Sequence, residues 1–166
     1  WHTSKINGKE VCVVLDDSSR FILAGGEFAI ATAEISIGLV RNALEDYGEI
    51  RRIREVLTDH GSQFFANRLD KDGESSSAFG AFLAENGIKH ILAGVRHPQT
   101  NGKIEKWYHT YERSRKSFND FDKFVNWYNS VRYHESLDEK HYLQTPEDAF
   151  WSRLPGGCKL NLFLSR

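Results

Sequence analysis

His97-Pro98-Gln99-Thr100-Asn101-Gly102-Lys103-Ile104-Glu105-Lys106-Trp107 is the stretch on which the reading turns. Pro98 and Gly102 bracket a turn just ahead of a helical pattern, so Glu105 falls in the first turn of a helix. A carboxylate there suits the positive end of the helix dipole. Its neighbours are basic: Lys103, Lys106, then Arg113, Arg115 and Lys116. Taken alone, such a glutamate reads as part of a solvated helix with i,i+4 ion pairs. A second stretch changes its weight. In Leu57-Thr58-Asp59-His60-Gly61-Ser62-Gln63-Phe64 a hydrophobic run ends on Asp59 and breaks at a glycine. An acid at a strand end and an acid on a later helix can meet at one divalent cation.

The 166 residues fit one domain with enough apolar content for a core. A net charge of −1 gives no global electrostatic footprint for nucleic acid. Locally, residues 89–116 hold seven Lys or Arg against two acids, Glu105 and Glu112. That segment can follow a phosphate backbone or simply be a solvated face. The two cysteines, Cys12 and Cys158, have no zinc-site spacing, and Cys12 sits in an apolar run as a small core residue. No signal peptide or membrane-length apolar run is present, and an intracellular, cytoplasmic protein of prokaryotic type is expected. The chain starts with Trp1 and has no Met, which points to an excised domain or a fragment of a longer product.

In chain order, residues 1–6 read as a strand. Asn7-Gly8 signals a two-residue hairpin, and residues 11–15 form the return strand. Asp16-Asp17-Ser18-Ser19 is turn chemistry. A third strand follows over residues 20–28, where Gly25-Gly26 marks a bulge or a close approach. Short turns between them predict an antiparallel meander. Thr32 caps a helix whose stripe is Ile35, Leu39, Ala43 and Tyr47, and Gly48 stops it. A fourth strand is expected over residues 53–58, with Arg51, Arg52 and Arg54 before it on a solvated edge or against DNA. Then come a loop at 66–74, a helix at 75–87 carrying Phe79, Phe82 and Leu83 on one face, and a fifth strand at 88–93. The Glu105 helix runs to about Lys116. A last apolar stripe, Phe121, Phe124, Val125 and Tyr128, is core, and Trp127 beside it is the candidate for a partner contact. This pattern alone gives an α/β class.

Thr58-Asp59-His60-Gly61-Ser62-Gln63-Phe64 and His97-Pro98-Gln99-Thr100-Asn101-Gly102 resemble the second and third acidic motifs of the retroviral-type integrase core, which is shared by insertion-sequence transposases. The resemblance spans nearly the whole chain. It takes in Leu15-Asp16-Asp17-Ser18-Ser19-Arg20, Tyr128-Asn129 and Thr145-Pro146-Glu147. It implies a ribonuclease-H-like fold, a five-stranded mixed sheet flanked by helices. It also implies a catalytic core over residues 1–154 with a C-terminal tail at 155–166. An Asp-Asp-Glu triad would hold two Mg²⁺ or Mn²⁺ ions for cutting and joining DNA strands, with water or a DNA 3′-hydroxyl as nucleophile. Asp59 matches the second acid and Glu105 the third, both as catalytic and metal-ligating residues. Forty-five residues separate them, longer than the family's usual spacing, and the loop at 67–74 absorbs the excess. Gln99, Asn101, Lys103 and Lys106 are the expected DNA contacts. DNA ends, target DNA and a homo-oligomer are the expected partners, with no membrane and no small-molecule cofactor.

The first acid departs from the pattern. The family places an Asp on the first strand in a Trp-His-x-Asp context, and this chain reads Trp1-His2-Thr3-Ser4. Anchoring on Trp1-His2 puts Ser4 in the acid's place, and anchoring on Gly8 points nearer His2. A two-residue hairpin would pair Ser4 with Val11. Asp17 would then lie about 20 Å along the strand from that position, and Asp16 faces the other way, so both read as turn residues. Weak Mg²⁺ binding and impaired catalysis are therefore expected. Three functions stay open: an integrase or transposase core, a degenerate relative that binds DNA or a partner without cutting, and a ribonuclease-H-like nuclease.

Overall fold

The computed structural model describes residues 1–59, 61, 64, 77–93, 102–137 and 142–154. The strands are β1 (His2–Thr3), β2 (Glu10–Leu15), β3 (Ile22–Phe28), β4 (Glu55–Thr58) and β5 (Lys89–Leu92). The helices are α1 (Ala33–Tyr47), α2 (Ala78–Glu85), α3 (Gly102–Ser114), α4 (Phe121–Ser130) and α5 (Pro146–Ser152). The antiparallel meander β1-β2-β3 is as expected, and β4 and β5 pair in parallel.

β2 reads as an unbroken apolar run because both its faces are covered. Val11, Val13 and Leu15 join one cluster with Ile22, Trp107, Tyr111, Phe124 and Tyr128, under α3 and α4. Val14 points the other way, into a cluster of Val40, Phe64, Phe79, Leu83 and Ile88 under α1 and α2. Strand alternation thus sorts one segment between two cores, which makes a three-layer α/β structure. The expected Thr32 cap holds, and two further caps appear. Thr32 accepts the Ile35 amide at 3.2 Å, and Ser77 accepts that of Gly80 at 2.9 Å. Thr145 and Asp148 close a capping box with Pro146 just inside the helix. Gly25 is a close approach: a Cβ there would lie 2.6 Å from Val13 Cγ1. The bulge itself falls opposite Val14 and Leu15.

Two expectations are corrected. The first hairpin is not a two-residue Asn7-Gly8 turn. His2 pairs with Val11 and Thr3 with Glu10, so the register is moved by two residues and Ser4 faces Lys9 rather than Val11. The cause is local. The Ser4 amide donates to the Lys9 carbonyl (2.8 Å), and the Gly8 amide donates to the Ser4 carbonyl (2.9 Å). Ser4 Oγ takes the Ile6 amide (3.2 Å), and Asn7 Oδ1 takes the Lys9 amide (3.1 Å). Gly8 supplies the left-handed residue at φ +68. This wider turn consumes residues that the first strand was expected to hold.

The second correction concerns the sheet. With only His2–Thr3 left in β1, the described residues form a three-stranded sheet and a separate two-stranded one, not one five-stranded sheet. The loop expected at 66–74 and the tail at 155–166 lie outside the described residues.

Candidate active site

Asp59 follows the last residue of β4. The strand is held to its end by the Ala93 amide on the Thr58 carbonyl (2.8 Å) and by Thr58 Oγ1 on His90 Nε2 (2.8 Å). Asp59 is exposed, and one of its oxygens accepts the Gly61 amide at 3.0 Å. Glu105 sits in the first turn of α3, as expected, and is also exposed.

Tyr108 relates the two acids. It lies one helical turn beyond Glu105, on the same side of α3. Its phenol reaches toward the Val11 carbonyl at 3.5 Å. Burial, then the neighbouring Cys12, then the Asp59 carboxylate push that phenol above its ordinary range. Burial raises the Cys12 thiol to about 11, and Asp59 adds to that rise. The Asp59 carboxylate thus acts on a phenol that lies one turn beyond Glu105 on α3.

Neither residue proposed for the first acid brings a carboxylate to Tyr108. Ser4 is 2% exposed and bonded into its turn, and its hydroxyl meets Tyr111. Tyr111 is six residues past Glu105, about 9 Å further along the helix, and it is fully buried. His2 stacks on Tyr108 with ring centroids 4.9 Å apart, but its Nε2 lies 2.8 Å from Glu112, two turns beyond Glu105. Glu112 also takes the Lys5 amide at 2.9 Å. It is a clasp that holds β1 and its turn against α3.

Asp16 and Asp17 are turn residues, as read. Asp16 accepts from the Ser19 amide (2.8 Å) and hydroxyl (2.6 Å), and Arg51 lies 3.4 Å away. Asp17 forms an ion pair with Lys103 on α3, so Lys103 is engaged with a carboxylate while Lys106 stands exposed. Gln99 and Asn101 lie outside the described residues, and of the arginines before β4, Arg52 and Arg54 are exposed. Trp127 is half-buried against Phe118 and Phe124.

At the far end of α3, Glu27 is nearly enclosed (8% exposed) and binds Tyr111 at 2.6 Å and Arg115 at 2.7 Å. Burial alone would raise its carboxyl, but these two hydrogen bonds hold it below the ordinary carboxylate range. Tyr108 and Glu112 were missed in the sequence reading. Their only signal was that Glu105, Tyr108 and Glu112 recur at helical spacing.

As metal ligands, Asp59 and Glu105 are hard oxygen donors of the kind Mg²⁺ or Mn²⁺ takes. Among the described residues no group of three His, Cys, Asp or Glu side chains converges, so these two do not complete a three-carboxylate, two-metal set.

The comparisons bear on the fold and on part of the sequence. A search against protein-family models finds no match. The ORF3 protein of Spiroplasma virus SpV1-C74, an integrase by assignment, is 29% identical over 146 residues, covering 80% of this chain. This chain spans 39% of that relative's length. An uncharacterized protein of Archaeoglobus fulgidus is 27% identical over 116 residues, covering 70% of this chain and 89% of that protein. Among solved structures, the catalytic core domain of BIV integrase superposes with a TM-score of 0.62 at 15% identity, over 88% of each chain. A simian T-cell lymphotropic virus intasome, in complex with PP2A regulatory subunit B56 gamma, contains a chain that superposes with a TM-score of 0.61 at 16% identity. That match covers 93% of this chain and 52% of that one. The architecture is that of an integrase-type core, ribonuclease-H-like in its α/β layering. Among the described residues no helix is long and apolar enough to cross a membrane.

Proposed function

We infer that residues 1–154 are the core of a DNA integrase or transposase, which engages DNA ends and target DNA as a homo-oligomer. Asp59 and Glu105 are its acidic residues. Lys106 and Lys103, with Gln99 and Asn101 ahead of the helix, are its contacts to phosphate and base. One observation supports this reading: on an integrase-type fold, one acid follows the end of β4 and the other sits in the first turn of α3, and the charge of the first acts on Tyr108, one turn beyond the second. Phosphoryl transfer needs carboxylates that hold Mg²⁺ or Mn²⁺ at the scissile phosphate, and the metal would supply the charge stabilisation. What this chain contributes itself is two exposed carboxylates on rigid supports, a strand end and a helix start. Basic side chains on the same helix can orient a phosphate backbone.

A second reading, a degenerate relative that binds DNA without cutting it, is favoured by a specific observation. The serine in the first acid's place is built into a turn, and no third carboxylate joins Asp59 and Glu105 among the described residues. A strand-joining assay with pre-cut DNA ends and Mg²⁺ or Mn²⁺ separates the two. Joining that is lost in both Asp59→Ala and Glu105→Gln supports the enzyme. DNA binding with no joining at any metal concentration supports the relative. Absence of both contradicts the function as a whole.

A further inference from the structure

The turn between β2 and β3 carries two neighbouring aspartates in opposite settings. Asp16 builds the turn. Its carboxylate takes the Ser19 amide (2.8 Å) and hydroxyl (2.6 Å), its carbonyl takes the Arg20 amide (2.8 Å), and its own amide donates to the Phe21 carbonyl (2.8 Å). Arg51 lies 3.4 Å from the same carboxylate, and Arg153, just past α5, donates to the Ser18 carbonyl at 2.7 Å. None of these bonds uses the Asp17 carboxylate, whose side chain is 76% exposed. It is engaged instead by Lys103, whose ammonium donates to the Asp17 carboxylate and, at 3.2 Å, to the Asp17 carbonyl.

Lys103 lies in the first turn of α3, where the helix dipole is positive and a cation is disfavoured unless an anion faces it. Asp17 is that anion. Lys103 keeps 38% of its side chain in solvent, and Lys106, three residues on and on the same side of α3, is exposed. An exposed ion pair of this kind is weak and is screened by salt. A DNA backbone offers an ammonium the same kind of partner, an anionic oxygen, at far higher density and with release of counterions.

We propose that Asp17 is a built-in competitor of DNA for Lys103. Its carboxylate holds the ammonium in the free protein and yields it to a backbone phosphate when a duplex binds. The identity of the displacing anion rests on the DNA engagement inferred above. The pair can open without loss of the turn, because Asp16, Arg51 and Arg153 brace the turn and the Asp17 carboxylate does not. Asp17 thereby weakens duplex binding, and it does so through Lys103.

The test uses the full chain, with Asp17→Asn, Lys103→Gln and the double variant. Binding of a labelled, mixed-sequence DNA duplex is read by fluorescence anisotropy across a salt series, and thermal melts check folding. Asp17→Asn is expected to bind roughly two- to fivefold more tightly than the natural chain. Lys103→Gln should weaken binding and lower the slope of log K against log salt by about 1. In the Lys103→Gln background the gain from Asp17→Asn should be lost. Should Asp17→Asn melt early, Asp17→Ser carries the same comparison. A gain that persists undiminished without Lys103 is general charge repulsion and overturns the competition. Unchanged or weaker binding by Asp17→Asn also overturns it, because the pair is then a strut that positions α3. Both of those results leave the proposed function standing, whereas no duplex binding by any of the chains overturns the two together.

Discussion

The turn at Ser4 and the end of β4 are the two places where the family resemblance asks for an aspartate, and they are built on opposite plans. At β4 the strand is held by backbone and by the Thr58–His90 contact, so Asp59 comes after the structure is already closed. Among the described residues its side chain accepts one amide, that of Gly61, and it is exposed. At the first hairpin the side chain is the structure. Ser4 is buried, takes the Ile6 amide and meets Tyr111. An acid can be added to or removed from the first setting at little cost to the fold, and not from the second. A side chain that makes its own turn has no freedom left to bind a metal.

The largest effect that would sharpen this contrast is Ser4→Asp. A carboxylate there would be buried beside Tyr111, whose hydroxyl already serves Glu27. With no cation to pair it, the substitution should destabilise the fold by about 3–5 kcal/mol. Urea unfolding measures it, and a loss under about 1 kcal/mol would mean the turn is looser than described. Next comes the clasp. Glu112→Ala removes the acceptor shared by His2 and the Lys5 amide, and should cost about 1–3 kcal/mol. Hydrogen exchange should quicken at residues 2–11 while β4 and β5 keep their protection; uniform quickening would contradict a local clasp.

A pH effect belongs to the other region. Burial holds the His90 ring below its ordinary 6.5, so the unfolded chain binds that proton more tightly than the folded one. Stability is therefore full above pH 6.5 and declines as pH falls below it. The decline should be missing in His90→Asn, and an identical decline in that variant would assign it to other groups. The smallest effect is Asp59→Asn. It keeps the acceptor for Gly61, sits on the surface, and should change stability by less than about 0.5 kcal/mol. A larger loss would mean that β4 depends on its terminal acid after all.

Much of this contrast was legible in the sequence, and the reason is range. Asp59 ending a strand and Glu105 opening a helix follow from hydrophobic runs, a glycine and a dipole, all within a few residues. The three-strand meander, the Thr32 cap and the inward stripe of α4 were readable for the same reason. The hairpin register was not. Asn7-Gly8 favours a two-residue turn locally, but Ser4 starts a wider one, and Glu112 secures it through a contact 107 residues away in sequence from Lys5. The amide of Asn129 on Ile22, also 107 residues apart, and the grip of Arg115 on Glu27 are likewise invisible until the helices have packed.

The most direct test of the account is a Mg²⁺ or Mn²⁺ titration by calorimetry on the natural chain, Ser4→Asp and Asp59→Ala. The account predicts weak binding by the natural chain, no gain in Ser4→Asp, and loss of that weak binding in Asp59→Ala. Strong metal binding by a folded Ser4→Asp variant would contradict it, because it would show that Ser4 faces Asp59 and Glu105 across the site rather than the interior of its turn.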